Sequence, residues 1–132
     1  LIQEREHRLL SEIIEQEGLD RFDQIEEEVN ASIEAEHAVI ATGGSVVYGP
    51  KAMEHLRNIG TVVYLKLSYE EIADRLGDLT ARGVSVREGQ TLRNLYDERI
   101  PLYEKYAHVV IDAEHQWLRD TVKVIRQRLE QL

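Results

Sequence analysis

The 132-residue chain has no cysteine, two prolines, one phenylalanine and one tryptophan. Without cysteine there is neither a disulfide framework nor a thiolate metal site nor a cysteine nucleophile. No apolar run approaches the roughly 20 residues that a membrane-spanning helix needs. The opening LIQEREHRLL also places charges where a secretion signal has its apolar stretch, so a soluble, cytoplasmic protein is expected, with no membrane partner. Basic excess is lacking too: the formal charge is -9, and residues 1 to 37 hold 12 acidic against 3 basic side chains, leaving 13 of each in the remainder. Such a surface repels phosphate backbones, which excludes nucleic acid as the expected partner. The five histidines, at 7, 37, 55, 108 and 115, show no HxH or HExxH spacing, so no protein-built metal site is expected.

What is present reads as one α/β domain spanning residues 1–132. From Leu1 to Glu36 apolar residues recur at helical spacing (Leu9, Ile13, Ile14, then Phe22, Ile25, Val29, Ile33), with Gly18 breaking the run into two or three helices. AVIA at 38–41 is short and apolar and runs into Thr42, Gly43 and Gly44, the pattern of a buried strand ending in a loop where backbone approaches something closely. Pro50 opens a helix that Gly60 stops, TVVYLKL at 61–67 forms a second buried strand, and Ser68 caps a helix running to about Gly77. The polar segment from about 78 to 90 has no period and the length of a lid. Thr91 caps the next helix, in which Pro101 predicts a kink or break. HVVID at 108–112 is the third strand, and Trp117 to Leu132 the last amphipathic helix. Strands alternating with helices predict a parallel sheet covered on both faces.

The order ATGGSVVY, GTVVYLKLSYEEIADRLG, a lid with TARG, DERIPLYEKYA and HVVID resembles the shikimate kinase family over essentially the whole chain. ERIPLY at 98–103, similar to that family's ERxPLY, carries the resemblance most strongly, followed by the strand with its Gly-Gly loop. The resemblance implies a three-layer parallel sheet of the P-loop, nucleoside monophosphate kinase-like kind. It also implies transfer of the ATP γ-phosphoryl group, with Mg2+, to the 3-hydroxyl of shikimate in aromatic amino-acid biosynthesis, and a monomer. Carried over by position, Gly43 and Gly44 belong to the substrate loop, Phe22 to the substrate pocket wall, and Arg99 binds the acceptor carboxylate. Arg82 is the lid arginine that closes over the transferring phosphoryl group, and Arg75 lies against the nucleotide base. These roles suit phosphoryl transfer, which depends on positioning and charge neutralisation more than on covalent help.

Two departures qualify the resemblance. No GxxxxGK[ST] phosphate loop occurs in these residues, although the family places one near its start. The expectation is therefore a family member lacking its phosphate-gripping segment, inactive by itself, whose strand at 38–41 faces a gap and exposes apolar surface. The family's FRxxE also reads Phe22, Asp23, Gln24, Ile25, Glu26, so that a carboxylate stands where a substrate-binding arginine is expected. A relative that phosphorylates another small alcohol, or a non-catalytic fragment, are the alternatives.

Overall fold

The computed structural model describes residues 1–76 and 89–132. The lid expected at about 78–90, with Arg82, therefore lies almost wholly outside the described residues. A one-turn helix α1 (Ile2–Glu6) leads into the long helix α2 (Leu10–Ala31). Gly18 interrupts α2 with φ 81 and ψ 168, a conformation that a side chain with a Cβ adopts only under strain. The apolar positions on either side of this break face one way, and Ile13, Phe22, Ile25 and Val29 form one core cluster with Ile2, Leu10 and Ile14 packed against it.

After an extended stretch, a 3-10 turn over Gly44–Tyr48 delivers the chain to α3 (Pro50–Ile59), with proline at the first helical position, where its missing N–H costs nothing. Val46, Val47, Ala52, Met53 and Leu56 make the second cluster, closed by Val62, Leu102, Tyr103 and Tyr106. α2 lies along α3 and the 3-10 turn, so the two clusters meet through these elements.

Strand β1 (Val63–Lys66) leads to α4 (Tyr69–Leu76), whose first turn is capped by the Ser68 hydroxyl accepting from the Glu71 N–H at 3.2 Å. Helix α5 (Leu92–Tyr106) begins at Thr91, whose hydroxyl accepts from the Asn94 N–H at 3.1 Å. Strand β2 (Val109–Asp112) and helix α6 (Leu118–Glu130) complete the chain. The strands pair in parallel, from Val63 opposite Val109 to Lys66 opposite Asp112. A parallel pair needs a long crossover, and α4 and α5 lie within it.

Three expectations are corrected. Residues 38–41 form no ladder among the described residues, and Val39 is 98% and Ile40 38% exposed. An apolar run becomes a strand only where a neighbour completes its backbone hydrogen bonds, and among the described residues β1 pairs with β2 alone. Full burial does not hold for the pair among the described residues: Val109 and Ile111 are buried, whereas Leu65 and Val110 are 49% and 39% exposed. Pro101 does not break α5, which is continuous over 15 residues. Pro101 and Asp97, whose carbonyl it deprives of a donor, are both exposed residues, so the lost bond falls on the solvent side of the helix.

Candidate active site

The site forms where the turn after Gly43 meets the inner faces of α2 and α5. Glu26 follows Phe22 by four residues, which places both on one helix face. Phe22 sinks into the core at 3% exposure, and that carries Glu26 inward to 8%. The Ser45 hydroxyl, also buried, lies 2.6 and 2.8 Å from the two Glu26 carboxylate oxygens and donates to them. Burial pushes the Glu26 carboxyl above its usual range and Asp23 adds repulsion, while the Ser45 hydrogen bond and the Arg99 charge pull the other way.

Arg99 enters from α5 and is 9% exposed. Its Nε donates to the Tyr48 hydroxyl at 3.3 Å, and its guanidinium carbon lies 5.4 Å from the centre of the Tyr48 ring. Its Nη2 is buried without a hydrogen-bond partner. A buried guanidinium N–H left unpaired costs free energy that an incoming anion would recover. Gly44 makes this approach possible: a Cβ there would sit 2.9 Å from Arg99 Nη1 and 2.8 Å from the Tyr103 hydroxyl. Tyr103 in turn donates to the Gly44 carbonyl at 2.9 Å.

Beside this cluster is a small open hollow of about 170 Å³ walled by Asp23, Glu26, Glu27, Ser45, Tyr48 and Gly49. Its lining combines carboxylates, hydroxyls and the tyrosine over which Arg99 lies. Such a lining offers oxygen acceptors to the hydroxyls of a small polyol; Arg99, Gly43 and Gly44 are not part of it, and the guanidinium reaches its edge only through Tyr48.

The structure places Gly44 against Arg99 and Gly43 beside Glu26. Phe22 supports the site from the core and is not among the residues lining the hollow. Arg75 lies elsewhere, at the end of α4, with its side chain 51% exposed and its Nε 2.6 Å from Glu71. Arg82 lies outside the described residues. The roles of Glu26, Ser45, Tyr48 and Tyr103 were not assigned from sequence; the four-residue step from Phe22 to Glu26 and from Arg99 to Tyr103 is the signal that could have found two of them.

The family model for shikimate kinase matches residues 1–130. The shikimate kinase of Thiobacillus denitrificans is 35% identical over 124 residues, covering 91% of this chain and 67% of that protein. That of Clostridium botulinum strain Okra is 32% identical over 130 residues, covering 96% and 75%. Among solved structures, shikimate kinase from Acinetobacter baumannii in complex with shikimate superposes with a TM-score of 0.82 at 30% identity, covering 98% of this chain and 75% of that one. The Aquifex aeolicus shikimate kinase gives 0.81 at 29%, covering 98% and 76%. With the family model matched over residues 1–130 and its α/β fold shared with solved members, the chain belongs to the shikimate kinase family.

Proposed function

We propose that the chain serves ATP-dependent phosphoryl transfer to the 3-hydroxyl of shikimate and that the Gly43–Arg99 cluster is its acceptor site. One observation carries this reading: the unpartnered, buried Nη2 of Arg99 beside a glycine loop that leaves no room for a Cβ at Gly44. The planar guanidinium engages the acceptor carboxylate, and the Gly43–Gly44 segment fixes how deeply the ring sits. Held this way, the acceptor hydroxyl is presented in one orientation, which is the larger part of what phosphoryl transfer requires of a protein. In the same reading Arg82 closes over the transferring group and Arg75 leaves Glu71 to lie against the nucleotide base.

ATP supplies the phosphoryl group and Mg2+ accompanies it. The described residues offer Mg2+ little: the ligand atoms of Glu71, Glu114 and His115 lie within 4.8 Å of one another. Glu114, however, already accepts from the Ser68 N–H at 2.8 Å and from its hydroxyl at 2.9 Å, and Glu71 is paired with Arg75. We therefore place the metal with the nucleotide. A monomer working in the cytoplasm completes the reading; among the described residues no helix is long and apolar enough to cross a membrane.

Steady-state kinetics with ATP and shikimate tests the proposal on the full-length protein, because these residues hold no phosphate loop and are not expected to turn over by themselves. Arg99→Met should lower kcat/KM for shikimate by about a hundredfold or more, the cost of losing one partner of a buried charge pair. ATP binding that persists without shikimate turnover in the unaltered protein would sink it in favour of a second reading, a kinase for another small alcohol. The carboxylate of Asp23 in the wall of the hollow is the observation favouring that alternative.

A further inference from the structure

Arg99 and Tyr103 are four residues apart on α5 and project from one face, so their functional groups meet over Gly44. The Tyr103 hydroxyl donates to the Gly44 carbonyl at 2.9 Å, and it and Arg99 Nη1 converge on the same spot, 2.8 and 2.9 Å from where a Gly44 Cβ would stand. Its ring is held against Tyr64, with centroids 5.2 Å apart and planes at 33°. Burial raises the Tyr103 hydroxyl above the ordinary tyrosine range, so it stays protonated at neutral pH and keeps its donor. Arg99 is tethered through its Nε to the Tyr48 hydroxyl at 3.3 Å, while its Nη2 is buried without a partner. The neighbouring Tyr64 makes the contrast: its hydroxyl is buried with no partner.

We propose that Tyr103 is a positioning residue whose hydroxyl fixes the Arg99 guanidinium relative to the Gly44 loop, so that the acceptor's anionic group meets an already oriented Nη2. The inference rests on the acceptor site described above and says how that site is kept in register. The hydroxyl does not touch the acceptor; it acts through the two groups that do. Without it the guanidinium regains rotamer freedom that binding must then take away.

The test compares Tyr103→Phe with Tyr64→Phe, each made in the full-length protein, in steady-state assays with ATP and shikimate, each variant checked by thermal unfolding. Tyr103→Phe keeps the stacked ring and removes only the relay. It should raise KM for shikimate about fivefold to tenfold, as loss of a buried hydrogen bond does, with KM for ATP unchanged. Tyr64→Phe should leave both constants where they were. Gly44→Ala, which pushes a methyl between the same two groups, should reproduce the selective rise and serves if Tyr103→Phe does not fold. A Tyr103→Phe enzyme with unaltered KM for shikimate overturns the proposal, as does an equal rise in both KM values, which would mark general loosening. Absence of shikimate turnover in the unaltered protein would instead fail the acceptor reading, a different and separable result.

Discussion

Replacing Asp23 by arginine should tighten shikimate binding. Asp23 is half-buried in the wall of the hollow, close enough to Glu26 to push its carboxyl upward, so its charge is felt inside the site. Two unit charges about 5 Å apart at an effective dielectric of about 40, between surface and bulk-water values, interact by about 1.7 kcal/mol. Asp23→Asn removes one unit of repulsion toward the acceptor carboxylate, and Asp23→Arg reverses it. The expected falls in KM are therefore on the order of tenfold for asparagine and a hundredfold for arginine, before side-chain ordering costs reduce the second. Initial rates against shikimate at saturating ATP measure both, and repeating them at high salt should shrink the gap. Equal KM values in all three proteins would refute the reasoning, because Asp23 would then not face the bound acid. An asparagine variant that gains while the arginine variant loses would point to steric exclusion by the longer side chain.

Further outcomes follow from Glu26 and Gly49. The Glu26 carboxyl is raised in the folded state, so its contribution to stability is full below the unfolded value of about 4.5 and is lost as pH rises through the folded value. Glu26→Gln, which can still accept from Ser45, should therefore gain in melting temperature relative to the native protein as pH is raised from 4 to 7, with the difference shrinking toward acid. A gap that widens toward acid would contradict the buried-carboxylate account. At Gly49 a Cβ would stand 2.6 Å from Glu27 Oε2 and 3.0 Å from its Cγ. Gly49→Ala should cost about 1 kcal/mol by forcing Glu27 outward, and the double variant with Glu27→Ala should recover most of it; chemical denaturation reads both, and simple additivity would show that the crowding is relieved elsewhere.

Much of the fold was legible because its punctuation is local. Gly18, Pro50, Gly60, Ser68 and Thr91 mark element ends through their own backbone or side-chain chemistry, and the structure places ends or a break at each. The 38–41 segment misled because its apolar character says only that it prefers to be buried, whereas a strand depends on a partner that may lie far away in sequence. Pro101 misled for the opposite reason: its local penalty was overridden by a solvent-facing position. In the candidate site, ERIPLY and the Gly-Gly loop drew attention to Arg99 and Gly44, which the structure places side by side. Ser45 and Tyr48 gave no signal, because a 3-10 turn decides which of five consecutive side chains turn toward α2 and α5.

The proline in α5 bears on the entropy lost in forming the acceptor site. Pro101 lies midway between Arg99 and Tyr103, and its ring confines its own φ near the helical value even in the unfolded chain. The turn joining the two side chains thus starts from a narrower ensemble than its neighbours, and less entropy is lost when it is completed. A rung is missing from the ladder at the one place where geometry is already restricted by covalent closure. The spacing of guanidinium and phenol is thus fixed at a smaller entropic loss than a turn without the ring would carry.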